Sequence, residues 1–221
     1  MELGQVGPLK RERPGGRGER LGTKPLLGVL AAPKPKLADP IAELVDSLLV
    51  ELGEDPHRQG LKATPERVSR ALRELTDGYG VNPEDVVADA TFDQDYDEMV
   101  VVKDIAFYSL CEHHMLPFFG HVHVGYLPKG KVVGLSKIPR LVEVFSHRLQ
   151  IQEKLTKEIA EALSAVLAPK GVGVVVEARH LCMEMRGVER PGGQMITSCM
   201  LGTFRRDPRT RAEFLDLVKG K

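Results

Sequence analysis

Two short segments of this chain hold residue types suited to binding a transition metal. Cys111-Glu112-His113-His114 follows a β-branched run and is bounded by Pro117, and His180-Leu181-Cys182 lies in a second apolar run. Cys111 and His114, three apart, converge if their loop makes one helical turn. His180 and Cys182 share a face with Ala178 and Glu184 if their segment is a strand. Two thiolates and an imidazole suit zinc, and three protein ligands plus a water define a catalytic rather than a structural site. Cys111, His114 and Cys182 are therefore the expected ligands. His113 or His180 would close the site if either became a fourth ligand. Adjacent histidines rarely aim at one ion, so the expectation is one ligating and one free imidazole. That leaves His113 and His180 for proton transfer beside the metal. The plainer alternative is a pair of unrelated core cysteines with surface histidines. Cys199, in an apolar run, reads as packing.

A second constellation suits an anion. Gly134-Leu135-Ser136-Lys137-Ile138-Pro139-Arg140 joins an expected strand to an expected helix. A small polar cap, a proline in the first turn and two cations would meet a phosphate where the helix N–H groups are free. Arg186 could add a third positive charge from the metal side, and the alternative is an ordinary solvated turn. Glu153, after Gln152, sits where a long helical pattern resumes. A carboxylate there can accept two N–H bonds from a guanine edge, a strong discrimination because a mismatch leaves it unpaired. A simply solvated helix glutamate is the alternative.

These residues need elements to hold them. Asp39-Pro40 opens a helix carrying Ile41, Leu44, Val45, Leu48, Leu49 and Leu52, and Thr64-Pro65 opens another. Met99 to Ile105 reads as a strand, and Gly120 to Tyr126 with Lys131 to Gly134 as a hairpin. A helical pattern runs from about Pro139 to Leu167, with an interruption near His147 to Leu149. Val172 to Met185 and Met195 to Phe204 read as strands, and Pro208 to Val218 as a closing helix. The pattern predicts an α+β fold, an antiparallel four-stranded sheet with helices on one face. The other face and the edges then lack cover, and association with further copies supplies it.

Residues 1–36 stand apart as a flexible basic Gly/Pro-rich tail, with eight Lys or Arg against three Glu. Residues 37–97 read as an N-terminal helical region and 98–221 as the catalytic domain. Across all 221 residues the formal charge is zero, so the overall balance points to neither nucleic acid nor a membrane surface. No apolar run approaches a membrane span or a secretory signal. The chain reads as cytoplasmic, where three cysteines are not expected to form disulfides.

Taken in order, Cys111-Glu112-His113-His114, Gly134-Leu135-Ser136-Lys137, Leu149-Gln150-Ile151-Gln152-Glu153-Lys154-Leu155-Thr156 and His180-Leu181-Cys182-Met183 with Arg186-Gly187 resemble the GTP cyclohydrolase I family, from about residue 39 to the C-terminus. The resemblance implies conversion of GTP and water to formate and 7,8-dihydroneopterin triphosphate, the entry to folate-type pterins. It implies the tunnelling fold, in which subunit sheets join into a barrel, and a homodecamer with active sites between subunits. Carried over by position, Cys111, His114 and Cys182 hold zinc, while His113 and His180 transfer protons. Gln152 and Glu153 anchor guanine, and Ser136, Lys137, Arg140 and Arg186 meet the ribose triphosphate. Arg67 reaches a neighbouring subunit's phosphates. Two other readings stay open at this stage. One is a nitrile reductase of deazaguanine metabolism on the same fold, using a nucleophilic cysteine without zinc. The other is a non-enzymatic module with a structural zinc.

Overall fold

The computed structural model describes residues 38–220 except 89, 188, 190 and 191; the expected tail, residues 1–36, lies outside the described residues. Asp39–Lys221 forms one compact unit. It opens with α1 (Pro40–Glu51), whose N-cap Asp39 accepts the Ala42 N–H, and α2 (Thr64–Glu74). Asp39 also ties the two helices together, accepting from the Ser69 hydroxyl at 2.7 Å and from Arg73 at 3.0 Å. The apolar stripe of α1 is not consumed by this contact. Only Val45 is buried in that helix, while Leu44 is 70% and Leu48 54% exposed.

The centre is a five-stranded sheet in the order β5-β2-β3-β6-β7. Its strands are β2 (Val100–Cys111), β3 (Pro117–Leu127), β5 (Leu149–Gln150), β6 (Gly171–His180) and β7 (Met195–Gly202). The long pairs are antiparallel, and the short β5 pairs parallel with Leu110 and Cys111 at the end of β2. The expected hairpin does not form. After the turn at Pro128-Lys129-Gly130, β4 (Lys131–Val133) pairs with β1 (Thr91–Asp93) in a separate two-stranded sheet. Both edges of β3 are already occupied, by β2 and by β6, so no ladder is left for β4.

The expected break in the long helical pattern is present. It separates α4 (Lys137–Ser146) from α5 (Gln152–Leu167), with β5 between them. Both helices, with α3 (Pro83–Ala88), cover the sheet face that carries Phe107, Phe118, Val122, Val124, Val174 and Val176, the main core. The expectation of helices on one face alone is corrected. After α7 (Thr203–Arg206), α8 (Pro208–Lys219) lies against part of the opposite face, where Phe204 and Phe214 form a second core with Val175 and Val218.

β6 is also shorter than expected. It ends at His180, and Leu181–Glu184 form a helical turn, α6, closed by the Met185 N–H on the Leu181 carbonyl. Cys182 therefore leaves the strand and does not share its pleat with His180. No helix among the described residues is long and apolar enough to cross a membrane.

Candidate metal centre and nucleotide site

Cys111 is the last residue of β2, and the loop after it closes on itself. The Cys111 N–H donates to the Leu116 carbonyl, and the Cys111 carbonyl accepts from His114 at 3.3 Å and from Met115 at 2.8 Å. That is the single turn the spacing predicts, ended by Met115 in the left-handed region at φ 54°. It brings His114 Nδ1 to 3.7 Å from Cys111 Sγ.

Cys182 arrives from the α6 turn, and the donor atoms of Cys111, His114 and Cys182 lie within 4.8 Å of one another. Tetrahedral zinc with bonds of about 2.0 Å to nitrogen and 2.3 Å to sulfur would separate such donors by roughly 3.5–3.8 Å. The donor set fits that ion in type and spacing. Burial pushes the Cys182 thiol up, and the nearby Cys111 sulfur adds to the effect, a strain that a cation between them would relieve.

The α6 turn is held from behind. Arg179 on β6 donates through Nε and a terminal nitrogen to the two oxygens of Glu184, and the guanidinium holds that carboxyl below its usual range. The sequence pattern places Glu184 with His180 and Cys182 but does not reveal its pairing with Arg179, because five-residue spacing matches no helix or strand period.

His113 stays beside the cluster without joining it. Its Nδ1 is 4.0 Å from Cys111 Sγ and its ring stands nearly perpendicular to that of His114, with its side chain 64% exposed. His180 ends β6 on the helix-covered face and stacks flat on Phe118, centroids 4.7 Å apart and planes 5° apart. Burial pushes its imidazole pKa down, partly offset by the charges of Glu153 and Glu184. Its Nε2 lies 2.8 Å from Gln152 Oε1. Gln152 itself is 1% exposed, whereas Glu153, one residue on, is exposed in the first turn of α5. Arg186 is exposed and close enough to act electrostatically on Cys182.

The second constellation lies elsewhere. Ser136 is the N-cap of α4 by position but makes no capping bond through its hydroxyl, and Arg140 is exposed. Just before them, the Val133 N–H donates to the hydroxyl of Tyr126, which stands at the far end of β3 from Phe118. At ~3.3 Å per strand residue, the stretch from Phe118 to Tyr126 separates the two ends by roughly 20–30 Å. α4 tells the same story: it is about 15 Å long, and the chain after its C-terminal end, at Arg148, accepts from Ser109 beside the metal end. Within one chain, Lys137 and Ser136 are thus remote from Cys111, with Arg140 one turn nearer. Arg67 is exposed on α2.

Comparison with known proteins agrees with the motif order. The family model described as GTP cyclohydrolase I matches residues 41–219. The chain belongs to the GTP cyclohydrolase I family. A protein of Synechococcus sp. (strain JA-3-3Ab) named GTP cyclohydrolase 1 is 59% identical over 175 residues, 79% of this chain and 76% of that one. Relatives of the same name are 55% identical in Coxiella burnetii (strain Dugway 5J108-111), over 83% of this chain and 100% of that one, and in Rattus norvegicus, over 81% and 74%. A solved apo archaeosine synthase QueF-Like aligns with a TM-score of 0.39 and 22% identity over 47% of this chain and 93% of that one, too slight a likeness to carry an argument. Membership in the GTP cyclohydrolase I family makes the chain a hydrolase.

Proposed function

We propose that the chain is a zinc-dependent GTP cyclohydrolase I, releasing formate from GTP and forming 7,8-dihydroneopterin triphosphate in the cytoplasm. The observation that carries the zinc reading is the convergence of Cys111, His114 and Cys182 from two distant segments. Zinc, when bound there, supplies the Lewis acidity that activates water near neutral pH. The chain's own residues supply the rest. Glu153 accepts two N–H bonds from the guanine edge and sets the base beside the cluster. His180 and His113 hold and return protons while the imidazole ring of the base opens. His180 does so at Nδ1, since its Nε2 is engaged by Gln152. Arg186 faces the substrate from the metal side.

The phosphates need the remaining cations, and these are remote from the metal in one chain. One ribose joins the base to the triphosphate, and the start of α4 lies about 15 Å of helix away from the end that meets the cluster's side of the sheet. Ser136, Lys137 and Arg140 therefore serve the metal cluster of a neighbouring copy, and Arg67 that of another. Two further observations support a homo-oligomer, with the decamer and its joined β-barrel as the assembly the family implies. The outer edges of β2 and β7 are unpaired along most of their length among the described residues, and the apolar face of α1 is exposed.

The test is direct. Purified protein with zinc quantified on the same sample is given GTP, and formate and the pterin product are followed. Zinc near one per chain with both products is the expected result. A zinc-loaded oligomer that releases no formate overturns the reading.

A further inference from the structure

Gln152 is the first residue of α5 and lies wholly inside the protein, with its amide nitrogen surrounded by acceptors. Nε2 lies 3.0 Å from the Val176 carbonyl, 2.9 Å from the Met195 carbonyl and 3.1 Å from Thr197 Oγ1. Carbonyl oxygens only accept, so the nitrogen end of the amide must point at β6 and β7. Oε1 is then the end that meets His180 Nε2 at 2.8 Å. An amide oxygen also only accepts. His180 must therefore donate from Nε2, which leaves Nδ1 as the ring atom free to exchange a proton.

Gln152 is itself locked. The Thr156 hydroxyl donates to the Gln152 carbonyl at 2.6 Å, so its single proton is spent. The Thr197 hydroxyl, 2.6 Å from Thr156 Oγ1, must then be the donor in that pair, and its oxygen receives the amide of Gln152. On the other side, the flat stack on Phe118 stops the imidazole from rotating. Side chains from α5, β3, β6 and β7 together hold one ring in one plane with one tautomer.

We propose that Gln152 is a positioning residue that fixes the tautomer and ring plane of His180, without touching the substrate. The inference rests on the proton-transfer role proposed for His180. It replaces the guanine contact that the family resemblance gives to Gln152, because the amide nitrogen faces β6 and β7, and Oε1, buried with the rest of the side chain, already accepts from His180.

The test uses the full-length, zinc-loaded oligomer. Gln152→Met keeps the bulk and removes the amide. Its kcat for formate release falls by roughly 100-fold, the low end of what a positioned proton-transfer group contributes, with the KM for GTP and the zinc content unchanged. Combined with His180→Ala, Gln152→Met costs nothing further, since it acts only through that ring. Gln152→Glu keeps an acceptor for His180 Nε2 and turns over faster than Gln152→Met. A raised KM with unchanged kcat assigns Gln152 to substrate binding and overturns the proposal. So do additive losses in the double variant, or loss of folded, zinc-loaded protein in both Gln152 variants. His180→Ala with wild-type turnover removes the role of His180 and this inference with it. An inactive His180→Ala beside a fully active Gln152→Met overturns this inference alone.

Discussion

Gly125 on β3 stands directly across from Gly173 on β6, and the rings of Phe204 and Phe214 fill the trough this pair leaves. A Cβ on Gly173 would sit 2.6 Å from Phe204 and 2.9 Å from Phe214, and one on Gly125 would sit 2.7 Å from Phe214. The two glycines thus seat α7 and α8 on the second face of the sheet. Overpacking of this kind costs about 1–3 kcal/mol. Gly173→Ala should lower the urea midpoint accordingly and leave zinc content intact, because the metal cluster lies at the other end of β6. Urea titration with zinc analysis on the same sample checks both.

The candidate metal centre separates Cys182 from the neighbouring imidazole of His113 by readout. Cys182→Ser removes one of two sulfur donors, so both bound zinc and formate release should be lost. His113→Ser takes away an imidazole that stands beside the cluster without belonging to it. It should keep its zinc and lose turnover by roughly 100-fold or more. Zinc analysis of the purified variants decides, and loss of metal from His113→Ser would make His113 a ligand.

Glu153 is exposed while its neighbour Gln152 is buried, so the two residues of one motif answer differently. Glu153→Gln replaces a pure acceptor by a group that presents a donor to the guanine edge. The KM for GTP should rise steeply, by about 100-fold or more, since a mismatched polar contact is left unpaired. Steady-state kinetics with GTP measures it, and an unchanged KM removes the guanine role.

Local chemistry was legible in the sequence where a short-range rule decides it. Asp39 before Pro40 marks a helix start because its carboxylate reaches the Ala42 N–H. Cys111 and His114 converge because one turn spans three residues. The failures came where long-range pairing decides. Leu181 and Met183 continue the apolar run of β6, so the pattern hides the helical turn, closed from Met185 back to Leu181, that brings Cys182 to Cys111 and His114. The turn at Pro128-Lys129-Gly130 was readable, but not that β3 had no free edge for the strand after it. The partners of Gln152 come from Val176, Met195 and Thr197, residues with no periodic relation to it.

His123 adds a pH dependence to stability. It is 5% exposed, and its Nδ1 accepts the Asp104 N–H at 3.1 Å where β2 bulges and Asp104 takes φ 59°. Burial pushes its pKa down. The charges of Asp104 and Glu177 oppose the shift, and His121 and Lys103 reinforce it. Between the depressed folded value and the unfolded value of about 6.5, the unfolded chain binds more protons. The contribution is therefore complete above the unfolded value and lost as pH falls towards the folded one. Urea midpoints should drop between about pH 7.5 and 5.5, and His123→Asn, which can still accept from Asp104, should flatten that drop.

The distance between the metal cluster and the cations makes the last prediction quantitative. If Cys182 acts in one copy and Lys137 in its neighbour, Cys182→Ser and Lys137→Ala inactivate different halves of each shared site. Each variant alone should be nearly inactive. Co-expressed in equal amounts, they should assemble at random, and about a quarter of the sites then combine an intact metal half with an intact cation half across a heterologous interface. Formate release at about that fraction of wild type is the expected outcome, measured on mixed oligomers against each pure variant. Activity no higher than the two variants mixed after assembly would mean that each chain supplies its own cations.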